Sequence, residues 1–140
     1  MHDKAFLDSN ILIYLHSEDD NNKRNIAQNI LDHNDCMTSI QAMNEISSVW
    51  FRKLMWSADK IKDHLDNIEQ VCDEIITISR ATINKALSLK ERYGFSYFDS
   101  LMLSSALEGN CNIIFSEDMS DGQIIEKTLK IVNPFKQKLY

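Results

Sequence analysis

The sequence has few residues that make turns, because its 140 residues include only three glycines and one proline. Sandwiches and barrels with many strands need such residues at their turns, so both folds are disfavoured. The three cysteines lie far apart and form neither a disulfide framework nor a CxxC metal motif, which fits a reducing compartment. The longest apolar runs are about five residues, against the ~20 of a membrane-spanning helix, and the first residues do not resemble a signal peptide. We therefore expect a soluble, cytoplasmic protein.

Length and charge restrict the function further. A chain of 140 residues, 44% of them hydrophobic, is sufficient for one apolar core, and we expect residues 1–140 to form a single domain. Acidic residues outnumber basic residues by 21 to 15, which gives a net charge of −6. The overall electric field repels RNA and anionic membranes, so a general electropositive nucleic-acid binder is disfavoured.

Apolar segments with the composition of strands alternate with segments of helical periodicity. The predicted strands lie at residues 5–7, 36–38, 75–78, 112–115 and 131–132. Six or seven helices are expected, including a short one around Ile125, with Gly94 and Gly109 in the left-handed conformation after their helices. This order predicts an α/β fold of three layers, α/β/α, with a mostly parallel central sheet. Ligands of such sheets bind beyond the carboxyl ends of the strands.

Several acidic residues are expected at that edge of the sheet. They are Asp8 after the first strand, Glu45 early in the helix after the second, Asp99 at the start of a helix, and Glu117, Asp118 and Asp121 after the strand 112–115. Two carboxylates 4 Å apart repel by roughly 4 kcal/mol at an effective dielectric constant of 20, so a cation is needed between them. Mg²⁺ typically takes one or two protein carboxylates together with water and phosphate oxygens. The pattern therefore predicts a magnesium site that acts on a substrate containing phosphate.

Each of these acids also has a purely structural explanation. Asp8 could cap the helix that follows it, and Asp99 has the spacing of a capping box with Ser96. Glu45 could be a solvated residue on an amphipathic helix, and the acids at 117–121 could belong to a polar loop. Spacing alone does not select among Glu117, Asp118 and Asp121. The joint placement of the acids at the strand ends is what favours the metal site.

Three parts of the sequence resemble a known family. Residues 6–14, FLDSNILIY, resemble the opening signature of PIN-domain ribonucleases, and especially of VapC-type toxins from bacterial toxin–antitoxin pairs. Residues 97–106, beginning YFDSLM, and residues 111–119, CNIIFSEDM, with Gly122 and Gln123 after them, resemble the carboxyl-terminal part of that family. Residues 39–45, SIQAMNE, place an acid in the corresponding middle helix. The resemblance covers almost the whole chain.

The resemblance implies an endoribonuclease that depends on Mg²⁺ or Mn²⁺. Its catalytic acids would be Asp8, Glu45, Asp99 and Asp118. Asp8 and Asp99 would be the principal metal ligands, and Asp118 would complete the metal site. Glu45 would help to polarise the attacking water. Asn10 and Ser116 would be supporting polar residues, and Asp121 is the alternative to Asp118 as the fourth acid.

The resemblance also implies partners, and an alternative function remains open. A VapC-type toxin of a type II toxin–antitoxin system would act on an RNA substrate, bind a cognate antitoxin protein and form a homodimer. The alternative is a catalytically silent module of the same fold that binds RNA or protein, with its acids capping helices. Two other enzyme classes are disfavoured. A haloacid-dehalogenase-type phosphatase needs a second Asp where Asn10 stands, and a response-regulator receiver needs a Lys soon after Phe115.

Overall fold

The computed structural model describes residues 3–136, which contain six strands and six helices. The elements in chain order are β1 Lys4–Leu7, α1 Ser9–Leu15, α2 Asn21–His33, β2 Asp35–Ser39, α3 Ile40–Lys53, α4 Ala58–Val71, β3 Glu74–Ile76, α5 Arg80–Tyr93, α6 Tyr97–Glu108, β4 Ile113–Phe115, β5 Ile124–Ile125 and β6 Leu129–Val132. No helix in this part of the chain has the length and apolar character needed to cross a membrane.

The strands form one sheet in the order β3-β2-β1-β4-β6-β5, in which only β5 runs antiparallel to its neighbour. The chain first moves outward from β1 to β3 through α1–α4, and then returns to β4 through α5 and α6. Because parallel crossovers are right-handed, this reversal places α5 and α6 on the opposite face from the other four helices. The predicted three-layer α/β/α architecture with a mostly parallel sheet is confirmed.

The central strand β1 shows why this sheet needs helices on both faces. Ala5, Phe6 and Leu7 are each fully buried, although successive side chains of a strand point to opposite faces. Such a continuous apolar run is typical of parallel strands covered on both sides. The fully buried indole of Trp50, on α3, belongs to the same core.

The prediction of a helix around Ile125 is wrong, because Ile124 and Ile125 form strand β5, which pairs with β6. The turn between these strands holds Glu126 and Lys127 with positive φ angles of 51° and 66°. A left-handed turn without glycine has little signal in the sequence. Here the Glu126 carboxylate forms ion pairs with Lys85 and Arg92 of α5, and these contacts hold the strained turn in place.

The prediction for Gly109 is also wrong, because its φ is −77° and the left-handed residue is Asn110, with a φ of 58°. Gly109 is required for a different reason. A Cβ atom there would lie 2.4 Å from the sulfur of Met37 on β2, so a larger residue would force the Met37 side chain to shift where the end of α6 approaches the sheet. Gly94 has the expected left-handed conformation, with a φ of 80°.

The strand order creates a crevice between β1 and β4. From β1 the chain proceeds to β2 on one side, whereas β4, on the other side, is reached only after the reversal, so the connections leave these two strands in opposite directions. Ligands of open α/β sheets bind at such switch points. Asp8 follows β1 directly and Ser116 follows β4 directly, and the backbone N–H of Asp8 donates to the carbonyl of Phe115 at 3.1 Å.

Candidate active site

Asp8 is a buried carboxylate at the centre of the crevice, with only 4% of its surface exposed. It is the N-cap of α1, and its Oδ1 accepts a hydrogen bond from the backbone N–H of Ser9 at 2.7 Å. Its Oδ2 accepts a second bond from the hydroxyl of Ser116, also at 2.7 Å. Burial, together with the smaller effects of the nearby charges of Asp99 and Glu45, raises the pKa of Asp8 to about 6 despite these two bonds.

Glu45 and Asp99 approach Asp8 from different helices. Glu45 lies on α3, and its Oε2 accepts a hydrogen bond from the hydroxyl of Ser9 at 2.9 Å. Asp99 lies in the first turn of α6, on the other helical layer. Burial raises the pKa of Asp99, the hydroxyl of Ser96 lowers it, and the negative charge of Asp118 raises it. The two helical layers therefore place carboxylates close enough to the end of β1 for their charges to raise the pKa of Asp8.

Asp118 joins this group from the loop after β4. Its Oδ2 accepts a hydrogen bond from Asn10 Nδ2 at 3.1 Å, and its backbone N–H donates to the Ser116 hydroxyl at 3.3 Å. The same Ser116 hydroxyl donates to Asp8, so one side chain connects the first strand end to the loop that carries Asp118. The structure thus brings Asp8, Glu45, Asp99 and Asp118 together with Asn10 and Ser116.

The other two acids of this loop have different partners. Glu117 accepts hydrogen bonds from Lys23 and from the hydroxyl of Tyr14, both at 2.6 Å. Asp121 accepts a hydrogen bond from the backbone N–H of Asn133 at 2.8 Å and lies 3.7 Å from the ammonium of Lys136. Of the three loop acids, Asp118 is the one whose charge raises the pKa of Asp99.

The structural explanation of Asp99 accounts for its backbone but not for its carboxylate. The Ser96 hydroxyl caps α6 by accepting a hydrogen bond from the Asp99 N–H at 3.2 Å. Among residues 3–136, no return bond runs from the Ser96 N–H to the Asp99 carboxylate, so the capping box is incomplete. For comparison, Ser79 and Thr82 form a complete capping box at the start of α5. The Asp99 carboxylate is therefore not bound to the Ser96 backbone, although the Ser96 hydroxyl lies near enough to lower its pKa.

The sequence also matches a known protein family. The sequence profile of the PIN domain matches residues 5–120. This chain belongs to the PIN domain family. The family expected from the three sequence segments is confirmed. No curated protein matches the sequence significantly.

Solved structures similar to this PIN domain include several from toxin–antitoxin systems. A toxin–antitoxin complex from Klebsiella pneumoniae has a chain that is 21% identical with a TM-score of 0.72, covering 95% of this chain and 99% of that one. VapC20 of Mycobacterium tuberculosis, a toxin that cleaves the sarcin–ricin loop, is 12% identical with a TM-score of 0.66, covering 81% and 91%. VapBC2 of Rickettsia felis, bound to a DNA fragment from its promoter, is 19% identical with a TM-score of 0.65, covering 93% and 99%. At these identities the similarity establishes the fold.

The donor atoms in this PIN domain suit a hard, oxygen-preferring cation. Within the described part of the chain, no three Asp, Glu, His or Cys side chains form a group that could hold a metal ion by themselves. Mg²⁺ does not need such a group, because it typically takes one or two carboxylates and keeps several waters. Asp8 and Asp99 offer two carboxylates, and the raised pKa of Asp8 reflects its burial and the neighbouring negative charges that a cation would offset. The residues present therefore fit a hydrated divalent cation.

Three residues that contact the acids were not expected as site residues. Ser9 follows Asp8 directly, and its hydroxyl donates a hydrogen bond to Glu45. The sequence feature that could have indicated this contact is a hydroxyl residue within the polar segment Asp8-Ser9-Asn10. Lys23 and Tyr14 bind Glu117 from 94 and 103 residues away in sequence, and no local pattern indicates these contacts.

Proposed function

We propose that this PIN domain is an endoribonuclease that hydrolyses RNA phosphodiester bonds with Mg²⁺ or Mn²⁺. The observation that carries the proposal is that, at the switch point of the sheet, Glu45 and Asp99 lie near enough to the buried Asp8, and Asp118 near enough to Asp99, for their charges to interact. Acids that served only as helix caps would have no reason to lie within range of one another's charges. Family membership and the structural similarity to VapC20, a toxin that cleaves the sarcin–ricin loop, support the same activity.

The residues have separable roles in this proposal. Asp8 and Asp99 hold the cation, and Asp118, oriented by Asn10, completes the site through direct or water-mediated contact. A divalent cation bound there would lower the pKa of its bound water and place positive charge beside the phosphate in the transition state. Glu45, beside Ser9, orients the attacking water and accepts its proton. Ser116 fixes the rotamer of Asp8 through its hydrogen bond to Oδ2.

The acidic composition is compatible with an RNA substrate under this proposal. The net charge of −6 repels RNA at long range, but a cation among the four acids makes the site locally attractive to a phosphate. Contacts with RNA should therefore be concentrated at the site instead of being spread over the surface. Binding of RNA should weaken sharply when the cation is removed.

Cleavage of a labelled RNA by the purified protein tests the activity. We expect cleavage in Mn²⁺ or Mg²⁺, none in EDTA, and a loss of about 100-fold or more in Asp8→Asn and in Asp99→Asn. Asp121→Asn is the matched control, because Asp121 lies on the same loop as Asp118 but contacts Asn133 and Lys136. Unchanged cleavage in both Asp8→Asn and Asp99→Asn would favour the alternative of a binding module without turnover.

We further propose that the biological role is that of a toxin in a type II toxin–antitoxin pair, acting in the cytoplasm as a homodimer. The fold similarity supports this role, because chains from toxin–antitoxin complexes match this PIN domain over nearly their full length. Expression of the protein should arrest growth, and co-expression with the product of the adjacent gene should restore it. Light scattering tests the dimer, and co-purification tests the antitoxin. A catalytically intact protein without effect on growth would contradict the toxin role.

A further inference from the structure

Two adjacent residues of the loop after β4 have contrasting surroundings. Asp118 faces the acidic group, whereas the carboxylate of Glu117 is held by α1 and α2. Lys23 Nζ lies 2.6 Å from Glu117 Oε2, and the Tyr14 hydroxyl lies 2.6 Å from Glu117 Oε1. Lys23 also donates to the Tyr14 hydroxyl at 3.1 Å, which closes the triangle. We call Lys23, Tyr14 and Glu117 the Glu117 clamp.

The Glu117 clamp is more enclosed than an ordinary surface ion pair. The side chains of Lys23 and Glu117 are 29% and 26% exposed. The ammonium of Lys23 lies 4.4 Å from the centroid of the Tyr14 ring and 5.1 Å from that of Phe135. Burial raises the pKa of Glu117, but the hydrogen bonds from Lys23 and Tyr14 outweigh it and leave that pKa below its ordinary value. Glu117 is therefore ionised and paired at neutral pH.

The backbone of Glu117 is fixed as firmly as its side chain. Its N–H donates to Asn10 Oδ1 at 3.3 Å, and its carbonyl accepts from Asn133 Nδ2 at 3.3 Å. Asn10 uses its other amide atom to donate to Asp118 Oδ2 at 3.1 Å. The peptide that leads into Asp118 is thus held at three points: by Asn10, by Asn133 and by the Glu117 clamp.

Lys23 also compensates the negative charge of Glu117. An unpaired Glu117 would place a fifth carboxylate directly beside Asp118 in the sequence. Such a charge could draw a cation away from Asp8 and Asp99, because a flexible carboxylate next to the site offers a competing ligand. The ammonium of Lys23 occupies Glu117 and removes that competition.

We propose that the Glu117 clamp positions Asp118 for the divalent cation, and that Lys23 and Tyr14 are positioning residues of the site. This inference rests on the proposed function, because that proposal places a cation at the site. It assigns a role to two residues on the first two helices that, within residues 3–136, form no hydrogen bond or ion pair with Asp8, Glu45, Asp99 or Asp118. Their effect on the cation is transmitted through Glu117 and the peptide that joins it to Asp118.

The test is the affinity of the full-length protein for Mn²⁺, measured by electron paramagnetic resonance titration. The double variant Lys23→Met/Glu117→Gln removes the ion pair without changing the net charge, so a change in affinity reports position and not charge. The matched control is Lys85→Met/Glu126→Gln, which neutralises another Lys–Glu pair, with 2.8 Å between its charged atoms, far from the site in the sheet order. We expect Mn²⁺ binding about 10-fold weaker in the first double variant and unchanged in the control.

Two further variants separate positioning from a loss of stability. Lys23→Arg keeps a cation that can bind Glu117 and should retain Mn²⁺ affinity close to that of the unaltered protein. Tyr14→Phe removes one hydroxyl, keeps the ring, and should weaken Mn²⁺ binding by a smaller factor than the double variant. A merely structural role would lower the melting temperature in EDTA and leave the Mn²⁺ affinity unchanged. That result in the double variant, or in Tyr14→Phe if the double variant does not fold, would overturn the inference.

The same experiment distinguishes this inference from the proposed function. If the unaltered protein binds Mn²⁺ but cuts no RNA, the nuclease proposal fails, and weaker Mn²⁺ binding by the double variant still supports the Glu117 clamp. If the unaltered protein cuts RNA and the double variant binds Mn²⁺ equally well, the Glu117 clamp fails and the nuclease proposal is unaffected. If the unaltered protein binds no Mn²⁺, the proposal that the Glu117 clamp positions a metal ligand is overturned.

Discussion

The hydroxyl of Ser116 donates a 2.7 Å hydrogen bond to the carboxylate of Asp8, although 108 residues separate them in sequence. This contact exists because β1 and β4 are parallel neighbours and end at the same edge of the sheet. It joins two strand ends at the switch point, and the Ser116 hydroxyl also accepts the N–H of Asp118. The geometry of the candidate active site follows from this pairing of strands.

Removal of the charge of Asp8 should stabilise the protein. Asp8 is buried with a pKa of about 6, against an ordinary value of 3.8, so its ionised form costs the folded state about 3 kcal/mol at pH 7. In Asp8→Asn the amide oxygen can still accept from Ser9, and the amide nitrogen can donate to Ser116. We expect a higher free energy of unfolding in urea at pH 7 without divalent cations, and no RNA cleavage. A variant less stable than the unaltered protein would show that the Asp8 charge stabilises the fold.

The same carboxylate predicts a pH dependence with a defined sign. The folded state of the protein holds the Asp8 proton more tightly than the unfolded state does. The advantage of Asp8→Asn in unfolding free energy should therefore be small near pH 4, grow as the pH rises to about 6, and stay constant above it. Denaturant unfolding of both proteins across this range measures the difference and cancels the contributions of carboxylates that do not interact with Asp8. A difference that does not vary with pH would contradict the raised pKa.

Variants of Asp99 and Ser96 should distinguish a metal-binding role of Asp99 from a role in capping α6. Ser96→Ala removes the hydroxyl that accepts the Asp99 N–H and should cost about 1 kcal/mol of stability while RNA cleavage persists. Asp99→Asn should leave stability unchanged or raise it, since a repelling charge is lost, and should abolish cleavage. Urea unfolding and a cleavage assay on both variants check this pair. The opposite pattern would make Asp99 a capping residue.

Ser100, next to Asp99, should tolerate replacement with a gain in stability. Its hydroxyl is fully buried and, within residues 3–136, is the one buried side-chain polar atom without a hydrogen-bond partner. Ser100→Ala removes that unsatisfied group and should stabilise the fold by about 1 kcal/mol. Ser104→Ala, one turn further along α6, is the matched control, because its buried hydroxyl donates to the Thr82 carbonyl at 2.8 Å. This control should lose a similar amount, as measured by thermal unfolding.

Much of this architecture could be predicted because its signals are local. The strand Lys4–Leu7 is an apolar run followed at once by Asp8, which caps α1, and Ser96 caps α6. Asp8, Glu45 and Asp99 stand at positions fixed by such element boundaries. Their convergence follows from the rule that parallel strands end at one edge of the sheet.

The features that could not be predicted depend on contacts distant in sequence. The left-handed turn at Glu126 is held by ion pairs to α5, and Gly109 is required by the approach of Met37. The distinction among Glu117, Asp118 and Asp121 needs the positions of Lys23, Asn10 and Asn133, which come from three other parts of the fold. Spacing within the loop contains no information about these partners.

The central claim is that the acids at the strand ends hold a divalent cation, and anomalous diffraction from crystals soaked in Mn²⁺ tests it most directly. We predict an anomalous peak within bonding distance of the carboxylate oxygens of Asp8 and Asp99, with Asp118 bound directly or through water, and its loss in Asp8→Asn crystals. The absence of a peak at these carboxylates at saturating Mn²⁺, or a peak confined to other acids such as Glu126, would contradict the account.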